Sequence, residues 1–288
     1  MFLIRRLFVQ NHVNPATKLS TNSLVDICNE FKQLRGGSIE LEKDDTSGIA
    51  HIFINHQEKR NALSGKMMVD LYDIVNDLEQ WSNGKGVLLH SFGSVFCSGA
   101  DLETIKYLLK SEQGGFQMAT LMHSILTKFR HLPLVTVALI NGRAMGGGAE
   151  LCTMFDYRLM TLNSSIQFVQ GRMGLSPGWS GGLRLKQIIG SKNTLDLLLT
   201  SKQIKAKEAL EMKLIDHIFE DDKEVIEQAV NWLKTKIIFD VSVVRTMKKL
   251  MMNIDEETKQ LENEKKLFLS LWGGKTNLEA IQSNVKHQ

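Results

Sequence analysis

The sequence predicts an α/β domain in which helices cover a mainly parallel sheet, followed by a helical carboxy-terminal region. Three observations support this. Short apolar runs alternate with helical periodicity between residues 39 and 190, glycine-rich turns follow two of those runs, and strand signals thin out beyond Gly190. Across 288 residues, 43% are hydrophobic and 23% charged, which argues against disordered and collagen-like classes and provides for a sizeable core.

The first twenty-five residues carry Arg5, Arg6 and Lys18 and no acid before Asp26. Both organelle-import peptides and poorly ordered tails have such a composition. We therefore expect a flexible segment over residues 1–34, an α/β core over 35–190 and a helical region over 191–288. The boundary is Arg35-Gly36-Gly37-Ser38, because paired glycines hold a helix poorly.

Ile39–Glu42 and Ile49–Asn55 read as a hairpin around the turn-prone Asp44–Gly48. Met68, Leu71, Tyr72, Val75 and Leu78 recur at three- and four-residue steps, predicting a helix that ends by Asn83-Gly84. Val87–Leu89 is a buried strand, residues 101–111 and 116–130 are helical, and the unbroken run Leu134–Ile140 is a second buried strand. A glycine turn and another helix follow, and segments 194–200, 206–213, 223–237, 241–252 and 255–272 complete the helical region.

Lys and Arg total 35 against 32 Asp and Glu, a net +3 scattered along the chain, which argues against a nucleic-acid surface. Cys28, Cys97 and Cys152 lie far apart, and neither they nor the dispersed histidines have ligand spacing, so neither a disulfide framework nor a metal site is expected. No apolar run approaches the roughly 20 residues that span a bilayer. We expect no bound cofactor and no membrane partner.

Two glycine segments carry the chemistry. Asn141-Gly142-Arg143-Ala144-Met145-Gly146-Gly147-Gly148-Ala149-Glu150 leads from a buried strand into a helix, where glycines allow close backbone approach and helix-start amides point outward unpaired. Tight helix packing would explain the same glycines. Phe92–Leu102 repeats the strand-to-helix arrangement and offers a second amide near Ala100. Two such amides converging on one oxygen make an oxyanion hole. The dinucleotide and P-loop spellings fail, and the two G-x-S-x-G spellings at Gly174–Gly178 and Gly178–Gly182 lack a following amide donor or a leading strand.

Phe96-Cys97-Ser98-Gly99-Ala100-Asp101-Leu102, Asn141–Leu151 and Gly174-Leu175-Ser176-Pro177-Gly178-Trp179-Ser180-Gly181-Gly182 resemble, in order and spacing, the crotonase or enoyl-CoA hydratase/isomerase superfamily. Glu58–Leu63 and Ala206–Asp216 extend the resemblance over about residues 38–285. It implies a repeated ββα superhelix, an acyl-CoA substrate and a thioester enolate held by the amides of Ala100 and Gly147. It also implies Ala62 and Leu63 near the CoA nucleotide, with Gly99, Asp101, Gly146, Gln170, Pro177 and Trp179 completing the substrate site. A homo-oligomer, trimer or hexamer, and a cytosolic location are further implications; the basic amino terminus keeps the mitochondrion as the alternative.

Hydratases of this family add water with two glutamates. Glu150 matches the first, whereas Gln170, or Arg172 at an alternative offset, stands where the second would be. An amide cannot exchange a proton at neutral pH, so water activation is incomplete. One carboxylate with an oxyanion hole instead suits loss of CO2 from a malonyl-type thioester, with Glu150 orienting the substrate or helping to deliver the proton. A hydratase, isomerase or hydrolase of the same fold and a non-catalytic CoA-binding protein are the alternatives.

Overall fold

The computed structural model describes residues 23–111, 113–220, 223–252 and 254–283. The basic residues read as an import peptide or a tail lie outside them. The expectation of a flexible segment reaching residue 34 fails over residues 24–31, which are ordered as a helix. Leu24–Phe31 forms helix α1, begun by a reciprocal cap between Ser23 and Asp26. Ile27 and Phe31 are fully buried, and burying such a side chain stabilises by roughly 1.5–3 kcal/mol. Leu24, Ile27, Cys28 and Phe31 have the i, i+3, i+4, i+7 spacing of a docked helix, which outweighs the polar composition around them.

The larger sheet contains β1 (Ser38–Asp44), β2 (Ile49–Asn55), β3 (Gly86–Ser91), β4 (Val135–Ile140), β6 (Tyr157–Thr161) and β9 (His217–Phe219), in that spatial order. β1 and β2 form the expected hairpin, and every later pairing is parallel. A smaller sheet holds β5 (Arg143–Met145), β7 (Ser165–Gln167) and β8 (Gln203–Lys205). Single bridges from Leu63 to Ala100 and from Cys97 to Ala144 extend it.

Helices α2 (Gly65–Gln80), α3 (Leu102–Leu108), α4 (Gly114–Arg130), α5 (Gly147–Cys152) and α6 (Gly181–Thr200) follow successive excursions between the sheets. Each repeat runs from a strand of the large sheet, through a strand or bridge of the small one, into a helix. This is the ββα superhelix expected. Ile52, Leu89 and Ala138 belong to the main core, and Leu88, Val137 and Leu139 pack on the other side with Val225, Ala229 and Leu233 of α8 (Val225–Lys234). Burial of both faces explains why β3 and β4 read as unbroken apolar runs.

The carboxy-terminal region adds α7 (Ala206–Glu211), α9 (Val241–Leu250), α10 (Ile254–Leu271) and α11 (Lys275–Gln282). Contrary to a purely helical expectation, β8 and β9 lie beyond Gly190 and close the two sheets. At three residues each they are too short for alternation to register. α10 returns to pack on α4 and α6.

Candidate active site

Residues 97–101 are tied on both sides. Leu63 N donates to Gly99 O at 2.8 Å and Asp101 N to Leu63 O at 2.8 Å, while Cys97 N donates to Arg143 O at 3.2 Å and Met145 N to Cys97 O at 2.9 Å. In such a ladder the residue between two bonded groups turns its own amide to the opposite side. The Ala100 N–H accordingly has no acceptor among the described residues. Gly147 opens α5, so its N–H has no intrahelical acceptor, and none is found elsewhere among them. The two turns touch: a methyl group on Gly99 would stand 3.1 Å from the Gly147 nitrogen. Both amides belong to residues lining one cavity of about 420 Å³.

The triple glycine also answers to close packing. Gly146 has φ +53° and ψ −120°, a Cβ on Gly148 would fall 2.1 Å from the Cys97 carbonyl, and one on Gly147 would fall 2.6 Å from the Trp179 ring. The two explanations coincide, because the helix must approach the neighbouring turn closely for both amides to reach one cavity.

Glu150 lies one turn further along and is buried. Its Oε1 accepts from Gln170 Nε2 at 2.7 Å and Gly178 N at 3.3 Å, and its Oε2 from Trp179 N at 2.8 Å and Gly181 N at 2.9 Å. Burial pushes this carboxyl upward, and the four donors oppose that shift. A methyl on Gly181 would stand 2.3 Å from Glu150 Cγ, so only glycine lets the α6 start close on the carboxylate.

Gly99, Ala100, Gly146, Gly147, Glu150, Gln170 and Trp179 all line the cavity. Four residues expected in the substrate site do not. Leu63 is fully buried with its backbone engaged in the bridge, and the Ala62 carbonyl oxygen lies 2.7 Å from His56 Nδ1. Asp101 caps α3 by accepting from Thr104 N at 3.3 Å. Pro177 turns its ring toward Gly182. Each therefore supports the wall from behind.

The sequence reading missed much of the opposite wall. Met118 of α4, Phe268 of α10, Trp272 just past its end and Ile281 of α11 line the cavity with apolar surface, and Arg60 contributes the lining's one cation among the described residues. Phe268 and Trp272 are one helical turn apart with ring centroids at 5.3 Å. That i, i+4 aromatic pair was the available signal. Glu150 is the sole carboxylate among the described lining residues, and no described cluster of His, Cys, Asp or Glu could hold a metal ion.

Two convergent amides beside a buried carboxylate, in a largely apolar cavity, make a site suited to an acyl-thioester enolate. The comparisons identify its lineage. Residues 44–284 match the enoyl-CoA hydratase/isomerase family model. The chain is 42% identical over 262 residues to an ethylmalonyl-CoA decarboxylase of Xenopus laevis, covering 90% of this chain and 87% of that one. It is 37% identical to one of Danio rerio, covering 99% and 94%. The crystal structure of an enoyl-CoA hydratase from Bacillus halodurans superposes with a TM-score of 0.78 at 26% identity, covering 85% of this chain and 99% of that one. This chain belongs to the enoyl-CoA hydratase/isomerase, or crotonase, family.

Proposed function

We propose that the protein decarboxylates a short branched malonyl-type thioester: ethylmalonyl-CoA to butyryl-CoA and, less well, methylmalonyl-CoA to propionyl-CoA. The observation that carries this reading is that Glu150 is the one carboxylate among the described lining residues, with Gln170 bonded to it where a hydratase would have its second acid. The relatives' names supply the substrate.

In the reaction the C2–carboxylate bond breaks, CO2 leaves, and its electron pair becomes the C2=C1 bond of a thioester enolate. Negative charge then grows on the thioester oxygen, where the Ala100 and Gly147 amides each contribute about 2.7–4 kcal/mol of the kind measured for oxyanion donors. The departing group faces Met118, Phe268 and Trp272 rather than water, which disfavours the carboxylate against neutral CO2. Glu150, fixed by three amides and Gln170, orients the acyl group or helps to deliver the proton at C2. One proton added at C2 completes the saturated product.

Such an enzyme removes an unwanted carboxylated thioester, a metabolite-repair role that we place in the cytosol. Phe239, Val243, Met247 and Leu250 expose apolar surface along and just before α9, which supports assembly into a trimer or hexamer. The test is CO2 release from ethylmalonyl-CoA with hydration of crotonyl-CoA assayed in parallel. We expect decarboxylation without hydration. Hydration alone would return the protein to the hydratases, and tight CoA binding without turnover would make it a binding protein.

A further inference from the structure

We propose that Glu264 is a positioning residue for Glu150: the two carboxyls grip the same helix start, and at neutral pH Glu150 is ionised while Glu264 carries a proton. Glu150 reaches the start of α6 from α5, and Glu264 reaches it from α10. Glu150 Oε2 accepts from Gly181 N at 2.9 Å, and Glu264 Oε2 accepts from Leu183 N, two residues further on, at 2.6 Å. A Cβ on the intervening Gly182 would stand 3.1 Å from Glu264 Oε2. Neither the fold nor the reaction as derived above uses Glu264.

The hydrogen bonds decide which carboxyl is neutral. Both oxygens of Glu150 face only donors, which suits an ionised group. Glu264 Oε1, by contrast, is buried with no hydrogen-bond partner among the described residues. An ionised oxygen without a donor is costly in such a place, so the proton belongs there. Burial first, and the Glu150 charge second, push the Glu264 carboxyl up to about 8. The groups facing it include Arg184 of α6, fully buried, which draws it back downward. His123 of α4 lies among Lys265, Glu262 and Arg184 and is itself pushed down to about 4, chiefly by burial, so it adds no charge near neutrality. Lys265 is engaged by Glu262 at 3.2 Å.

A second charge on Glu264 would oppose Glu150 across the segment that carries Trp179, a lining residue. Alkaline pH should therefore loosen the wall of the cavity. Glu264→Gln keeps the neutral shape and an acceptor for Leu183 N. In the full-length protein we expect its kcat/KM at pH 7 to stay within about threefold of wild type. We expect kcat/KM of wild type to decline above pH 8, and that decline to disappear in Glu264→Gln.

Thermal stability provides a readout independent of turnover. A carboxyl whose folded pKa is raised stabilises fully below its unfolded value, about 4.3, and loses that contribution as pH rises through about 8. The Tm of wild type should thus fall relative to Glu264→Gln between pH 5 and 8. In Glu150→Gln, where the neighbouring charge is gone, that fall should end at lower pH and be smaller. A Tm difference independent of pH, or an unchanged fall in Glu150→Gln, would overturn the proposal. So would an alkaline decline that Glu264→Gln keeps. Only the activity arm rests on the decarboxylase reading; if the Tm arm holds while no CO2 is released, the reaction assignment fails and the protonated Glu264 stands.

Discussion

The cavity has two unlike walls. One is made by the turns after β3 and β5, where backbone amides of Ala100 and Gly147 and the α5 carboxylate of Glu150 do the polar work. The other is made by the segment from α10 to α11, which returns from the far end of the chain and contributes the side chains of Phe268, Trp272 and Ile281. The first wall is fixed by hydrogen bonds between neighbouring strands and helix starts, and so it leaves glycines and a glutamate in a readable order. The second is fixed by packing: the Trp272 ring occupies the space that a side chain on Gly115 would fill, and Asn277 bridges Met173 O at 2.8 Å to Gly273 N at 3.0 Å. In the proposed reaction the chemistry falls to the first wall and the apolar cover of the acyl group to the second.

The sharpest way to break this division is at Glu150. Glu150→Gln places an amide NH2 against backbone N–H groups that now donate to a carboxylate. Activity should fall by about 100–10,000-fold, the range of a positioned acid or base, as read by CO2 release from ethylmalonyl-CoA. A variant with near wild-type kcat would move the chemistry away from this wall.

Gly147→Ala comes next. Its methyl would lie 2.6 Å from the Trp179 ring, so the α5 start must shift and carry the oxyanion amide with it. Loss of one such donor lowers kcat by about 100–1,000-fold. Single-turnover rates, which separate chemistry from binding, are the check.

On the apolar wall, Trp272→Ala should act on selectivity and stability more than on chemistry. Truncating a buried aromatic costs about 3–5 kcal/mol of stability, measured by urea unfolding. The preference between ethylmalonyl-CoA and methylmalonyl-CoA should change by about tenfold, since one methylene carries about 1–3 kcal/mol of selectivity. The smallest effect belongs to Asp101→Ala. Loss of this cap should cost about 1 kcal/mol of stability and leave kcat/KM within about twofold, which would separate it from the site in which its motif had placed it.

The same contrast explains what the sequence made legible. Glycine runs at strand-to-helix turns have a local cause, so it was legible without the fold that Ala100, Gly147 and Glu150 would stand together, as they do around one cavity. Ala62, Leu63, Asp101 and Pro177 were expected in the substrate site from the family resemblance. In the structure none of the four lines the cavity, and a bridge, a cap and a ring contact engage Leu63, Asp101 and Pro177 elsewhere. The short strands β5 to β9 and the return of α10 depend on contacts distant in sequence, which no local period reveals. Glu264 belongs to that class. Nothing around residue 264 distinguishes it from the other charges of a surface helix until α10 is seen to dock on α6.

We propose that the enolate stays in the cavity, held on two amides, until C2 is protonated. Decarboxylation of ethylmalonyl-CoA in D2O, followed by configurational analysis of the butyryl-CoA, tests it most directly. The account predicts one deuterium at C2 in a single configuration. Racemic monodeuterated product would show an enolate released to solvent, and would contradict it.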